Sequence, residues 1–182
     1  MRLNLGSAVV QAITGPMTDA TWVGVDAMAW PVQVRADIRH LPFRDESADF
    51  LHCAHTIEHI PLEDVSGTLA EFRRVLRKTG VLFISGPDSD RARDAGSRYW
   101  TEVSEWGGAT AGWNHQWDCT ISRLRDALKE AGFVPTWAHK VPDTWPGNVH
   151  QWPVDFEVRF LCRRSDCPWP TYFPPGFPAL LT

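Results

Sequence analysis

The segment spanning residues 23–88 constrains the fold more than any other part of the chain. Within it, three short apolar and β-prone runs end in polar residues, the first at Asp26, the second at Asp37 and the third at His55. Polar residues at the carboxyl ends of successive parallel strands line the crevice in which an open α/β sheet binds a nucleoside-like ligand. The pattern therefore predicts a parallel sheet that binds a small-molecule cofactor at one edge.

The rest of the chain continues this alternation of strands and helices. Apolar residues at helical spacing predict helices over Leu62–Lys78, capped by Gly80, and over Ile121–Ala131, with a brief helix over Ser7–Ala12. No helical pattern separates the last two strands, which should therefore pair antiparallel at one edge. The sequence thus predicts an α/β, Rossmann-like fold, a mostly parallel twisted sheet with helices on both faces and an antiparallel edge hairpin. The predicted strands are Arg2–Leu5, Thr21–Val25, Val32–Ala36, Asp49–Ala54, Val81–Ser85, Phe133–Ala138 and Phe156–Cys162.

Length and charge narrow the class of protein. The 182 residues predict one domain over residues 1–166, followed by a tail rich in proline and aromatic residues over 167–182. The formal net charge of -4 gives no general attraction to nucleic acid or to an anionic membrane. No apolar run approaches the roughly 20 residues that span a bilayer, and no signal-peptide pattern is present. We therefore expect a cytoplasmic protein with neither a membrane nor a nucleic-acid partner, whose oligomeric state these features leave open.

A long segment before the second main helix is rich in tryptophan. Residues 88–118 read as irregular and are too long for an ordinary connection, and such segments are usually lids or binding loops. Trp100, Trp106, Trp113 and Trp117 lie within it, and aromatic residues at this density either fill a core or line a binding face. Both interpretations remain open, and the second makes residues 100–117 a lid and substrate wall.

The sequence predicts no metal site. Cys53 and Cys162 fall in predicted strands and are interpreted as small buried apolar residues. Cys162 and Cys167 lie close together in the sequence, but no second close cysteine pair completes a zinc site with them. The H-x-x-E-H pattern from His55 to His59 also occurs in zinc proteases, where both histidines lie on a helix. Here the pattern directly follows a strand and Pro61 interrupts a helix, which argues against that site.

Four segments, considered together, resemble the class I S-adenosylmethionine-dependent methyltransferases. They are VGVD, RADIRHLPFRDESADFLHCAHTIEHI, LAEFRRVLRKTGVLFISGPD and LRDALKEAGF, in the family's order and spacing. The resemblance extends from about Leu3 to Arg163. The chain departs from the family where Asn4 replaces an acidic residue and Gly6 alone remains of a glycine-rich motif.

The resemblance implies a cofactor site for S-adenosylmethionine. Leu5, Gly6 and Ser7 match the turn whose backbone approaches the methionine part of the cofactor. The other matching positions are assigned in chain order to the ribose, the adenine and the reacting sulfonium. They are Asp26 with Ala27 at the ribose hydroxyls, Asp37 with Ile38 at the adenine, and His55 facing the sulfonium and the substrate.

The two acidic positions also have simpler interpretations. Asp26 could cap the following turn, and Asp37 could pair with Arg35 or Arg39. His55 and His115 are the candidate catalytic bases, because imidazole titrates in a suitable range, and a histidine packed in its loop is the alternative for His115.

The implied function is methyl transfer to a small molecule, a sugar or another acceptor that the sequence does not identify. A nicotinamide-dependent oxidoreductase would also need an acid after the second strand, but the chain lacks G-x-G-x-x-G and a second domain for the substrate. A different alternative is a non-catalytic protein that keeps the fold as a binding or scaffolding module. The reduced glycine motif and the proline-rich tail are consistent with that alternative.

Overall fold

The computed structural model describes residues 1–6, 21–28, 32–94, 115–138 and 157–168. Within these ranges, seven strands form one sheet in the order β3-β2-β1-β4-β5-β7-β6. Neighbouring strands from β3 to β5 are parallel, whereas β7 pairs antiparallel with both β5 and β6. The strands are β1 (Arg2–Leu5), β2 (Trp22–Asp26), β3 (Val34–Arg35), β4 (Ala48–Ala54), β5 (Leu76–Pro87), β6 (Phe133–Ala138) and β7 (Glu157–Arg164). The predicted fold class, a mostly parallel sheet with helices and an antiparallel edge hairpin, is confirmed.

Three α-helices and a short turn connect the described strands. A 3-10 turn, Ile57–His59, follows β4 and leads into α1 (Leu62–Val75). Helix α2 (Ser89–Asp94) follows β5, so the predicted irregular segment begins with a helix. Helix α3 (Ile121–Glu130) precedes β6. No helix within the described ranges has the length and apolar character needed to cross a membrane, and the cytoplasmic location stays a prediction.

The predicted bounds differ most from the structure at three elements, which are α1, β5 and β3. The helix predicted to Lys78 ends at Val75, because Leu76 takes extended backbone angles while its amide still donates to the Phe72 carbonyl. Gly80 therefore lies inside β5 rather than at a helix cap, and a Cβ there would lie 2.6 Å from Cδ1 of Leu76. Strand β3 is also shorter than the predicted Val32–Ala36.

The main core lies between one face of the sheet and the helices. Leu69 and Phe72 of α1 and Leu124 and Leu128 of α3 are fully buried there. Because β-strand residues alternate between faces, every second residue of the central strands points into this core. They include Leu3, Leu5, Leu51, Cys53, Leu82, Ile84, Phe160 and Cys162. Cys53 and Cys162 are free thiols with no exposure, as predicted for small core residues.

The opposite face of the central strands carries buried aromatic and polar rings. His52 of β4 stacks on Phe83 of β5 with ring centroids 5.0 Å apart, and its Nδ1 lies 3.0 Å from Oδ1 of Asn4. Trp22 packs edge-on against Phe50 at 5.4 Å. These contacts join β2, β1, β4 and β5 on this face, so the central sheet is tied together on both sides.

Candidate functional site

The carboxyl ends of the parallel strands meet at one edge of the sheet. Leu5 lies opposite Val25 on β2 and opposite Cys53 on β4, and Ala54 lies opposite Ser85 on β5. The residues that follow these positions therefore leave the sheet side by side. They are Gly6 after β1, Asp26 at the end of β2, Asp37 after β3 and His55 after β4. The structure thus brings the predicted cofactor residues to the same edge.

Gly6 turns the chain out of β1. Its φ angle is +72°, in the left-handed region that favours glycine, and its amide donates to the Val25 carbonyl at 2.8 Å. A Cβ on Gly6 would lie 2.1 Å from Oγ1 of Thr56, so the loop after β4 occupies the space that a side chain would need. Leu5 is fully buried, and Ser7 lies outside the described residues. The glycine is therefore explained by the turn and by the contact with Thr56.

Asp26 is a nearly buried carboxylate at the end of β2. The residue is 6% exposed, and Oδ1 accepts a hydrogen bond of 2.8 Å from the amide of Met28. The Asp26 carbonyl accepts from the amide of Ala36, which ties the end of β2 to the residues after β3. Ala27, next in the chain, is exposed. Asp26 thus stabilises its own turn, as the simpler interpretation expects, while it lies beside the Gly6 turn.

Asp37 forms the alternative ion pair considered from the sequence, with Arg39. Both carboxylate oxygens accept from the guanidinium: Oδ2 lies 2.7 Å from Nη2 and 3.0 Å from Nε, and Oδ1 lies 3.1 Å from Nε. These hydrogen bonds lower the pKa of Asp37 from its usual value. The Arg39 guanidinium also contacts Asp64 of α1 at 2.7 Å. Ile38 is 5% exposed and belongs to the core, so any cofactor contact at this position would come from its backbone.

His55 is held in an unusual backbone conformation beside a buried carboxylate. Its φ angle of +48° is uncommon for a residue with a side chain, and such angles concentrate at functional sites. The His55 amide donates to the Ser85 carbonyl at 3.0 Å, which fixes the turn against β5. Nδ1 of His55 lies 3.4 Å from Oε1 of Glu58, a carboxylate with no exposure.

His115 joins this group from a distant part of the chain. Its ring centroid lies 5.0 Å from that of His59. The following residues bind the turn after β4, because the Gln116 amide donates to the Glu58 carbonyl at 2.7 Å and Nε1 of Trp117 donates to the Ile57 carbonyl at 3.1 Å. From the sequence, Glu58 and His59 were considered only within the H-x-x-E-H pattern, and nothing connected them with His115.

The charges in this group are uneven. Burial acts to raise the pKa of Glu58, but the contact with His55 and the nearby imidazoles outweigh it and hold that pKa below its usual range. Burial lowers the pKa of His115 to about 4, and the attraction of Glu58 only partly opposes this effect. His115 is therefore neutral at physiological pH and is a weak proton acceptor. Burial and the neighbouring carboxylates also raise the pKa of Cys119, which keeps that thiol protonated.

The turn at Gly6, the carboxylates of Asp26 and Asp37 and the imidazoles near Glu58 all lie at this edge of the sheet. The Trp-rich wall predicted over residues 100–117 falls mostly outside the described residues, which include only Trp117 and the two residues before it. Trp117 is 8% exposed and belongs to the core, as the packing interpretation of the tryptophans expects. The predicted tail, 167–182, is described only at Cys167 and Pro168.

Comparison with protein families and curated proteins identifies one domain and one relative. A family model described as a methyltransferase domain matches residues 13–84. Over 64 residues the chain is 47% identical to the uncharacterized protein YafS of Escherichia coli strain K12, a match that covers 35% of this chain and 26% of that protein. The chain thus matches about a quarter of the length of this curated relative.

Comparison with solved structures identifies the fold. The methyltransferase in a complex with the Trm112 methyltransferase activator of Haloferax volcanii has a TM-score of 0.65 and 15% identity, over 90% of this chain and 81% of that chain. The 1,6-didemethyltoxoflavin-N1-methyltransferase of Burkholderia thailandensis has a TM-score of 0.62 and 14% identity, over 90% of this chain and 71% of that chain. At these identities the likeness concerns the fold.

Proposed function

We propose that this chain, a class I S-adenosylmethionine-dependent methyltransferase by its matched domain and its fold, transfers the cofactor's methyl group to a small-molecule or sugar acceptor. When bound, S-adenosylmethionine supplies an electrophilic methyl group on a sulfonium. The chain's own residues bind the cofactor, align the acceptor and exclude water. The Burkholderia thailandensis methyltransferase, which has a similar fold, holds S-adenosylhomocysteine, and this supports the choice of cofactor.

The observation that carries this proposal is the position of Asp26. A carboxylate that is 6% exposed stands at the carboxyl end of β2, beside the turn at Gly6 after β1. A vicinal diol can donate two hydrogen bonds to one carboxylate, and hydrogen bonds to a charged acceptor are the stronger kind. Asp26 therefore fits the ribose hydroxyls of the cofactor. Asp37, one-third exposed and paired with Arg39, would reach the adenine only if that pair adjusts.

The two candidate bases differ in their suitability. A dedicated base is needed only when the acceptor's nucleophile is weakly acidic. His115 is a weak proton acceptor because burial lowers its pKa to about 4. His55 has 30% of its side chain exposed and directly follows β4. We assign any base role to His55 and treat His115 as part of the surrounding cluster.

Calorimetric titration of the purified chain with S-adenosylhomocysteine tests the cofactor site. We expect a dissociation constant on the order of micromolar. The variant Asp26→Asn should weaken binding at least about tenfold, since the charged hydrogen-bond acceptor is lost while the amide oxygen can still accept from Met28. Asp45→Asn is the matched control, because this exposed carboxylate lies before β4, at the other end of the strand.

Two results would contradict the proposal in different ways. Absence of binding by a folded wild-type chain would leave the non-catalytic binding or scaffolding module as the better function. Equal binding by the wild-type chain and Asp26→Asn would retain a cofactor and remove Asp26 from its site. If binding follows the expectation, methyl transfer from labelled cofactor to pools of small molecules and sugars identifies the acceptor class.

A further inference from the structure

Three side chains with metal-binding atoms meet just beyond the end of β4. Glu58 and His59 belong to the 3-10 turn, and His115 comes from the segment before α3. One carboxylate oxygen and one ring nitrogen from each histidine all lie within 4.8 Å of one another. The cluster includes His115, which follows His59 only after the whole of α1, β5 and α2, so no local sequence pattern could place it here.

The buried carboxylate in this cluster lacks the hydrogen bonds that its burial calls for. Glu58 has no exposure, and within the part of the chain that the structure describes neither of its oxygens accepts a hydrogen bond. Its contact with Nδ1 of His55 at 3.4 Å is an ion-pair distance without hydrogen-bond geometry. Nδ1 of His59 is likewise buried without a hydrogen-bond partner. Buried charges in proteins are normally hydrogen-bonded, paired closely or bound to a metal.

We propose that Glu58, His59 and His115 bind one divalent first-row transition-metal ion, with Zn²⁺ as the probe. One carboxylate with two imidazoles is a donor set that suits Zn²⁺ and other borderline ions, and catalytic zinc sites use three such ligands. Ligand atoms about 2.1 Å from a tetrahedral ion are about 3.4 Å apart. The present atoms lie within 4.8 Å of one another, so the proposal requires the side chains to move closer together when the ion binds.

The two histidines of the cluster are less enclosed than its carboxylate. Within the part of the chain that the structure describes, Glu58 is buried, whereas His59 and His115 are both half-buried. A bound ion could therefore keep positions for water or for an oxygen or nitrogen atom of an acceptor. This inference does not rest on the proposed methyl transfer, since the three ligands are separate from Asp26 and Gly6.

The site differs from the one that the sequence considered and rejected. The H-x-x-E-H interpretation needs both histidines on a helix, whereas residues Ile57–His59 form a single 3-10 turn and His55 has a φ angle of +48°. In the structure His115 takes the place that the motif would give to His55. Residues 57–59 therefore do not form the helical motif, and the proposed metal site depends on a tertiary contact.

Zinc binding by the full chain tests this inference. After treatment with a chelator and its removal, calorimetric titration with Zn²⁺ should give one ion per chain. His59→Ala and His115→Ala should each weaken binding at least tenfold. Glu58→Gln should do the same if it folds, and the half-buried histidines keep the test valid if it does not. Substituting Co²⁺ should give a visible absorption band that His115→Ala abolishes.

Two control variants exclude other binding groups. His40→Ala removes an exposed histidine outside the cluster, and Cys167→Ser removes the free thiol that is not buried, so neither should change zinc affinity. No zinc binding by the wild-type chain would overturn the inference, and so would binding that persists in both cluster variants or is lost in Cys167→Ser. S-adenosylhomocysteine titration of His115→Ala, with its fold verified by circular dichroism, separates loss of the metal from failure of the cofactor site.

Discussion

Gly6 and Thr56 show how single residues determine the form of the carboxyl edge. Gly6 combines a positive φ angle with a contact in which Thr56 occupies the space of a side chain. Oγ1 of Thr56 in turn donates to the Ala54 carbonyl at 3.0 Å. The turn after β1 and the turn after β4 therefore fix each other, and both border the proposed cofactor site. A change at either residue should alter the fold before it alters the chemistry.

We predict that Gly6→Ala lowers the free energy of unfolding by about 2–4 kcal/mol, because a left-handed backbone angle and a steric overlap with Thr56 act together. Gly67→Ala is the matched control in α1, where a Cβ would meet nothing within 4 Å. It should raise the free energy of unfolding by roughly 0.5–1 kcal/mol, since alanine favours a helix interior. Urea denaturation of both variants measures the difference. Equal stability of Gly6→Ala and wild type would remove the steric argument.

At the scale of elements, the sequence predicted the strands better than the junction between α1 and β5. The helical apolar stripe includes Val75, and Leu76 continues it, so periodicity alone extended the helix. Both residues are fully buried, and burial is satisfied equally well when Leu76 opens a strand. The ladder then advances irregularly, from the pair of Ala48 and Leu76 to the pair of Phe50 and Val81. Local spacing does not reveal which of two buried conformations the neighbouring strand will select.

The candidate site shows the same division between local and tertiary information. The strand-end acids could be predicted because each follows an apolar run, and the edge they share follows from parallel pairing. Their present partners could not be predicted, since Arg39 bonds Asp37 and Asp64 at once through the packing of α1. The meeting of His115 with His59 depends equally on the path of a long connection. The roles of the strand-end acids at a cofactor stay predictions.

An ion pair secures the end of the hairpin to α1, and it should make stability depend on acid pH. Arg164 is 6% exposed and donates two hydrogen bonds to Asp166, at 2.8 Å and 2.7 Å, while Arg73 of α1 lies 3.0 Å from the same carboxylate. The hydrogen bonds from Arg164 lower the pKa of Asp166 to about 2. A lowered carboxyl pKa stabilises the fold above the usual carboxyl range, and that contribution is lost as the pH falls towards 2.

We therefore predict that Asp166→Asn destabilises the chain at neutral pH and that the difference from wild type shrinks between about pH 4 and pH 2. Unfolding free energies measured in urea across this range provide the check. Asp90→Asn, which removes an exposed carboxylate on α2, controls for the general loss of one negative charge. A difference that stays constant with pH would mean that the ionised form of Asp166 contributes nothing specific.

At the scale of the whole molecule, the antiparallel hairpin is part of the sheet rather than an attachment. Strand β7 lies between β5 and β6 and pairs with β5 over seven residue positions, from Val81 with Arg163 to Pro87 with Glu157. Phe160 and Cys162 of β7 are buried in the main core. We infer that the described strands fold as one cooperative unit.

Truncation tests this inference. A chain lacking residues 157–182 loses β7, which leaves β6 without its partner and one edge of β5 unpaired, and we expect it to show no cooperative thermal transition by circular dichroism. A chain of residues 1–168 is the matched control and should keep its transition, in line with the predicted domain boundary at residue 166. A cooperative transition in the shorter chain would show that β7 is dispensable, and loss of the transition in the control would move the boundary.

The position of β7 also has a consequence for how the chain is made. It is the last described strand to leave the ribosome, yet it belongs between two strands that are already synthesised. At about 5–20 residues per second, β5 waits for its antiparallel neighbour on the order of ten seconds. During that interval the apolar edge from Val81 to Ile84 can pair with another nascent chain. The fraction of the protein that reaches its native state should therefore depend on how well this strand is protected during synthesis.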